Sequence, residues 1–502
     1  MATVVNYERL TALDETFLAF ETPNTYMHVA LVNVFEPGSL VASGGLDIDR
    51  IRRYFASRLH LVPRYRQKLR TIPLTGDAVW IDDSHFELDY HVRHASLPRP
   101  GGMKQLQRRC AEILERPLDR ERPMWESWFI EGLEGGRFAM ITKVHHCMVD
   151  GVAGVDILAA LLGMEPTQAI DAPARWKPRP APGDRELLGD EMVRRVRASG
   201  RLLRGLGSLA SDPARTGTEV PKRVGALVNL LRAGAAIPPP APFNQPVGPH
   251  RRLAWTETPI EEILRIKATL GGSLNDVVLA TTAGAVRKFL QARGETVVDP
   301  FRVVVPVSVR SKDERGQTGN RVSAWIVDLP VDESSAVERH ARIVEMTKAH
   351  KNDESALGGQ MLTEAAELTT GNILSLGARF INQSHLYNLI VTNVPGPHVP
   401  LFLLDSRMAE SFPHVPLFAD QGLGVALFSY DTKLYWGIAA DWDLVPDVAD
   451  LGDFVDDAFD ELRAAARPAR PRSTGATRAK ASRRRGGGGT AHVTTARQVA
   501  AP

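Results

Sequence analysis

Two adjacent histidines followed at a fixed distance by a carboxylate and a glycine, His145-His146-Cys147-Met148-Val149-Asp150-Gly151, are the residues of this chain best suited to chemistry. A neutral imidazole can take a proton from a hydroxyl near neutral pH, and a nearby carboxylate can fix the local geometry. Successive side chains of a strand point to opposite faces, so His145 and His146 cannot both face one cavity while the strand is regular. One histidine is expected to act as the base and the other to pack or hydrogen-bond beside it. Asp150 falls in the turn, where Gly151 lets the chain bend tightly. Zinc is disfavoured by the adjacent-histidine geometry and by the lack of a further ligand cluster, so no metal is expected. Cys147 reads as a small buried residue rather than a nucleophile paired with its neighbour. On residue types alone, a purely structural His-His-Asp turn stays open beside the general base.

The elements that must hold this motif are readable around it. Phe138 to Val144 reads as the strand that delivers the histidines, and Val152 to Leu162 as a buried helix that follows. In the same part of the chain Val29 to Phe35 reads as a strand, and Ile51 to Leu59 and Lys104 to Leu114 as helices. Farther on, helices are expected over Ile260 to Leu270, Leu274 to Leu290 and Val448 to Ala466. Strands are expected over Phe301 to Val309, Ala324 to Pro330, Leu389 to Asn393, Gly424 to Tyr430 and Lys433 to Ala440. Mixed elements with hairpin-like connections argue for an α+β fold rather than a doubly wound parallel sheet.

Three compositional breaks divide the 502 residues: a proline-rich stretch from Pro166 to Gly183, a second from Ile237 to Pro249, and an Arg/Pro/Gly-rich change near Arg467. They suggest a first module over 1–165, a linker over 166–249, a second module over 250–466 and a disordered basic tail over 467–502. The net charge of +2 conceals this division, because the tail holds nine Lys/Arg and no acid and so leaves the body at −7. Two cysteines exclude a disulfide framework and suggest a reducing compartment. No apolar run of about 18 residues is present, and the N-terminus is polar and acidic, so neither a spanning helix nor a signal segment is expected. Within the linker, Glu186 to Leu209 reads as an amphipathic helix. Leu188, Met192, Val196, Leu203 and Leu206 share one face, and Arg194, Arg195, Arg197, Arg201 and Arg204 lie mostly on the other. Its apolar face is expected to pack on the protein with the arginines solvated; the other reading is a helix lying in an anionic headgroup layer.

The central motif resembles the HHxxxDG signature of coenzyme-A-dependent acyltransferases and peptide-synthetase condensation domains. The opening Leu10-Thr11-Ala12-Leu13-Asp14 with Met27-His28-Val29 resembles that of bacterial wax ester synthase/diacylglycerol acyltransferases, of the actinobacterial triacylglycerol synthase type. So does Pro117-Leu118-Asp119-Arg120-Glu121-Arg122-Pro123-Met124-Trp125-Glu126, with Met124 where that family usually has Leu. Asn275-Asp276-Val277-Val278-Leu279-Ala280, Pro306-Val307-Ser308-Val309-Arg310, Gly319-Asn320-Arg321-Val322 and Thr392-Asn393-Val394-Pro395-Gly396-Pro397 follow in family order. The resemblance runs from about residue 9 to 440.

It implies two chloramphenicol-acetyltransferase-like halves with a reaction tunnel between them. It also implies that His146 is the general base, that His145 and Asp150 are structural, and that Gly151 leaves room for a thioester. Asn275, Asp276 and Trp125 become candidates for substrate or oxyanion contacts. A capping role for Asn275 and Asp276 after Ser273, and a core position for Trp125, are the simpler alternatives. The implied reaction moves an acyl group from acyl-CoA to the hydroxyl of diacylglycerol or of a long-chain alcohol, diacylglycerol being favoured. Acyl-CoA is then a co-substrate and no cofactor is expected. The implied setting is cytoplasmic, peripheral to the inner face of the plasma membrane or to lipid droplets. A nucleic-acid partner is not expected, since the basic tail lacks interleaved aromatics.

Overall fold

A computed structural model describes residues 6–42, 45–149, 151–211, 238–297, 299–308, 322–352 and 386–467. Two six-stranded sheets dominate it. The first runs in the order Phe402–Leu403, Ser406–His414, His28–Phe35, Phe138–His145, Trp125–Glu131, Val92–Ser96. It is antiparallel except for its last pair. The register sets His28 opposite His145 and Phe35 opposite Phe138, so the histidine motif leaves the sheet at the end of an interior strand.

The second sheet runs Arg251–Pro259, Lys433–Asp441, Leu423–Tyr430, Leu389–Val394, Phe301–Ser308, Val322–Leu329. Its centre is mixed, because Leu389–Val394 is parallel to both neighbours. Every residue of Leu423–Tyr430 is buried. That two-faced burial is why its sequence reads as an unbroken apolar run rather than an alternation. The helix Val448–Ala465 packs on the helix Leu274–Ala292 and on the strand Arg251–Pro259. The two largest hydrophobic cores among the described residues lie one against each sheet.

The proposed division at residue 250 is crossed by the chain. Ser406–His414, a strand not foreseen, comes from the second half but pairs with His28–Phe35 of the first. Residues Met1–Ala466 accordingly form one compact unit. The expected disorder of the tail falls on residues outside those described. The proline-rich stretch after 166 is also fastened to the body. Thr167 N–H donates to the Leu404 carbonyl, and Arg179 pairs with Asp82 at 2.8 Å. The Arg66 guanidinium lies over the Trp176 ring.

The linker helix spans Asp184–Ser211 and its rotation differs from expectation. Leu187 joins a small core with Tyr7, Ile72, Val79 and Ile81, and Glu191 is buried beside it. Arg194 and Arg195 face the body, paired with Glu191 at 2.6 Å each, and Arg195 also with Asp77 at 2.8 Å. Met192 and Val196 point outward, 67% and 70% exposed. Neither arginine is simply solvated, because carboxylates lie beneath the helix, and their ion pairs join the packing of Leu187 and of the expected Leu188 in setting its rotation. The side chains of Arg201, Leu203, Arg204 and Leu206 lie outside the described residues. No helix among the described residues is long and apolar enough to cross a membrane.

Candidate active site

At the end of Phe138–His145 the chain turns through a short 3-10 helix, His146–Met148, and enters the helix Gly151–Leu161. The two histidines diverge as the pleat requires. His145 is buried, with Nε2 3.1 Å from Glu21 Oε1, while its Nδ1 accepts the Cys147 N–H at 3.2 Å. A ring nitrogen that accepts carries no proton, so this pattern places the His145 proton on Nε2, donated to Glu21. The backbone N–H of His145 donates to the Met124 carbonyl at 3.0 Å.

His146 is half-buried and stacks on Phe17, ring centroids 3.8 Å apart and planes within 20°. Its backbone N–H donates to the Met27 carbonyl at 2.8 Å, and its carbonyl accepts from Val149 at 3.3 Å. Burial, reinforced by the nearby His145 and partly opposed by backbone contacts, pushes the His146 imidazole down to about 4. The ring is therefore neutral at physiological pH. Its Nδ1 is buried with no hydrogen-bond partner among the described residues.

Phe17 is held by the helix Ala12–Phe20, which begins at a capping box. The Thr11 hydroxyl accepts the Asp14 N–H, and the Asp14 carboxylate returns to the Thr11 N–H. That box is the physical content of the Leu-Thr-Ala-Leu-Asp opening. Glu21 caps the other end of the helix and accepts from Met27 N–H at 2.9 Å and from Arg120 at 2.5 Å. Burial alone would raise this carboxyl. Hydrogen bonds from His145 and Arg120, with the Arg120 charge, outweigh it and hold Glu21 at about 2.

Two more histidines end the adjacent strands. Burial, followed by the charge of Lys143, pushes His28 well down, and burial with Arg251 and Lys143 brings His414 to about 3. Lys143 is itself buried, donating to the carbonyls of Ile113 and Arg116 after the helix Met103–Leu114. Cys147 is buried and its thiol is pushed well up, which leaves it a packing residue. Among the described residues, no group of three His, Cys, Asp or Glu could hold a metal ion.

The remaining candidates separate. Trp125 is fully buried, stacked between Tyr65 (4.2 Å) and His91 (4.5 Å), with Nε1 donating to the Tyr65 carbonyl at 2.9 Å. It is packed as a core aromatic, with its indole N–H and both ring faces in contact with protein. Asp276 closes a capping box with Ser273 and accepts from Thr347 at 2.7 Å, which is a structural use of its carboxylate. Asn275 is half-buried and its Oδ1 accepts from Asn393 Nδ2 at 2.7 Å, joining two of the sequence motifs. Among the described residues no hydrogen bond links that pair to His146. Asp150 and Arg310 lie outside the described residues.

Glu21, Phe17 and Arg120 were not singled out from the sequence. Each lies in or between segments that carry a family resemblance, but single acids and aromatics at such positions have no spacing that announces a role.

With this geometry in hand, similarity to known proteins is informative. Residues 10–278 match the wax ester synthase/diacylglycerol acyltransferase catalytic domain, and residues 318–463 the C-terminal domain of the same enzymes. A putative diacylglycerol O-acyltransferase of Mycobacterium tuberculosis is 36% identical over 471 residues, 91% of this chain and 90% of that one. A probable diacylglycerol O-acyltransferase, tgs1, of the same organism is 32% identical over 492 residues, covering 95% and 98%. Among solved structures, the wax ester synthase/diacylglycerol acyltransferase of Marinobacter aquaeolei VT8 matches with a TM-score of 0.65 and 24% identity, over 91% of this chain and 99% of that one. The first condensation domain of the calcium-dependent antibiotic synthetase matches with a TM-score of 0.57 at 16% identity, over 91% and 96%. These two likenesses establish the two-halved α+β acyltransferase fold.

Proposed function

Since this chain belongs to the wax ester synthase/diacylglycerol acyltransferase family, we propose that it moves a long-chain acyl group from acyl-CoA to the hydroxyl of diacylglycerol, giving triacylglycerol, with His146 as general base. The observation that carries this reading is the state of His146. It is a neutral, half-buried imidazole at the end of an interior strand, seated on Phe17 and fixed through its backbone to Met27.

The acceptor hydroxyl gives its proton to His146 as its oxygen attacks the thioester carbonyl. The tetrahedral intermediate then collapses, the C–S bond breaks, and the proton passes from His146 to the departing CoA sulfur. Both substrates meet at one base, so no acyl-enzyme is needed. The developing oxyanion requires donors at its final position. Backbone N–H groups at the start of Gly151–Leu161 are candidates. Asn275 is another, because its Oδ1 is engaged by Asn393 and, among the described residues, its Nδ2 donates to no group. Asp150 is proposed to hold the turn.

Long-chain alcohols present the same hydroxyl to the same base, and a wax ester synthase activity is the second reading; the names of the mycobacterial relatives favour diacylglycerol. Such acceptors dissolve in lipid, which supports a peripheral position on a membrane or lipid-droplet surface. The test is turnover of palmitoyl-CoA by purified protein with diolein or hexadecanol as acceptor. We expect triacylglycerol to form, and His146→Ala to lower the rate by roughly 10²- to 10⁴-fold, the usual scale for a lost general base. Turnover of free acyl-CoA with no carrier protein argues against a carrier-bound donor. If neither acceptor is acylated and His146→Ala changes nothing, the protein is a non-catalytic relative.

A further inference from the structure

The hydrogen bonds around the catalytic turn converge on one carboxylate outside the HHxxxDG motif. Glu21 Oε1 receives the Met27 N–H at 2.9 Å and faces His145 Nε2 at 3.1 Å. Met27 in turn accepts the His146 N–H through its carbonyl, and His145 accepts the Cys147 N–H through its other ring nitrogen. The residue before His146, the residue after it and its own backbone partner are thus all tied to Glu21. The helix that Glu21 terminates also supplies Phe17, the aromatic stacked on His146. On the far side Arg120 holds Glu21 Oε2 at 2.5 Å.

We propose that Glu21 is a positioning residue for acyl transfer: it holds the His145 ring as a strut that sets the orientation of His146, and Arg120 keeps its carboxylate in place. The proposal rests on the reading of His146 as the base. The chemistry of the strut demands a group that only accepts. His145 must offer a proton on Nε2 because its Nδ1 is occupied by the Cys147 N–H, and Met27 offers a second N–H to the same oxygen. A carboxylate satisfies both donors and Arg120 together. A glutamine of the same shape can turn its one accepting oxygen to His145 and Met27, but its NH₂ group then meets the Arg120 guanidinium, donor against donor. Arg120 would be driven off, and side chain 21, no longer clamped from behind, would hold His145 and Met27 less firmly, which loosens the orientation of His146. A buried ion pair kept only for stability would not discriminate between kcat and KM.

The experiment uses the full chain, palmitoyl-CoA and diolein, comparing the parent with Glu21→Gln, Arg120→Gln and His146→Ala, each checked by circular dichroism and thermal unfolding. The expected result for Glu21→Gln is a kcat lower by roughly 10- to 100-fold, within the range that positioned proton transfer contributes, with KM for palmitoyl-CoA changed less than about twofold. Arg120→Gln, at a half-exposed position, should shift kcat in the same direction by a smaller factor. A Glu21→Gln enzyme that is folded and keeps parental kcat, while His146→Ala is inactive, overturns the positioning role and leaves the base intact. Parental turnover in His146→Ala overturns the base and the strut together. If Glu21→Gln does not fold, Arg120→Gln decides: unchanged kcat overturns the proposal, and a loss at constant KM supports it.

Discussion

A half-buried base stacked on an aromatic ring, as His146 is, has consequences for pH that its residue type alone would not suggest. An ordinary histidine would impose an acid limb on kcat/KM near 6.5. Burial brings this one to about 4, so the unprotonated, working form is present across the physiological range. We expect kcat/KM to vary less than about twofold between pH 6 and 8 and to fall only on approach to pH 4. A limb centred near 6.5 would show that the ring is solvated in the free enzyme. The sign for stability follows from the same shift. A histidine whose folded value is depressed contributes fully above its unfolded value of 6.5, and the contribution is lost as pH falls toward 4. Glu21, lowered from 4.5 to about 2, also loses its contribution on acidification, in the window between those two values. Acid should therefore unfold this site from both groups, the histidine first. Trp125 gives a contrasting residue-level expectation. As a core aromatic, Trp125→Ala should lose about 3–5 kcal/mol of stability. Trp125→Phe should lose about 1–3 kcal/mol for the orphaned Tyr65 carbonyl and the smaller ring, with KM for acyl-CoA unchanged. A raised KM in a stable Trp125→Phe protein would instead place the ring against substrate.

The elements that sequence reasoning found are those whose burial is intrinsic to their own residues. Phe301–Ser308, Leu423–Tyr430 and Leu274–Ala292 are apolar over most of their length, so length and β-branching sort them without knowledge of partners. Ser406–His414 was illegible because Ser406, Arg407, Glu410 and Pro413 break any alternation, and a bulge near Met408 and Glu410 shifts its register. It is a strand because His28–Phe35 offers an edge and the second sheet closes over it. That closure is tight at one point, where a Cβ on Gly437 would lie 1.7 Å from the Pro413 carbonyl oxygen. Since the obstruction is backbone, Gly437→Ala should push Ser406–His414 off its neighbour Lys433–Asp441 and cost several kcal/mol, about 3 or more. A Gly437→Ala protein with parental unfolding would mean that the sheets can separate freely there. The rotation of the linker helix was equally hidden, because it depends on Asp77 and Glu191 lying beneath Arg194 and Arg195. Glu15 shares that cluster, and burial first, then Asp77 and Glu191, raises it to about 7. A raised carboxyl contributes fully below 4.5 and loses that contribution as pH rises through 7. Glu15→Gln should thus stabilise the protein by on the order of 1–3 kcal/mol at pH 8 and be nearly neutral at pH 5. Equal effects at the two pH values would show that Glu15 is solvated.

On the scale of the whole molecule, the histidine motif and its strand were legible because chemistry and pattern coincide there, whereas the strut behind them is assembled from segments some 120 residues apart. Glu21 and His145 are separated by 124 positions, and no local periodicity can announce such a pairing. Charge is legible at this scale in a different way, since it needs no geometry. The body at −7 ends with its last helix, and nine basic residues with no acid follow from Arg467. An acidic body is repelled by an anionic lipid surface, so any attraction must come from locally basic segments such as this one. Each basic residue near such a surface contributes about 1 kcal/mol, and salt screens that contribution. A protein ending at Arg467 should therefore keep kcat within about twofold when both substrates are presented in neutral detergent. The same protein should sediment less with vesicles of anionic phospholipid at low salt, and the difference from the full chain should vanish at about 0.5 M salt, where the Debye length is only a few ångströms. With vesicles of neutral phosphatidylcholine the two proteins should behave alike. A truncated protein that loses turnover in detergent would make the tail part of the catalytic unit. Equal sedimentation with anionic vesicles would instead assign the lipid contact to the body, where Met192, Val193 and Val196 are exposed apolar residues among the described part of the linker helix.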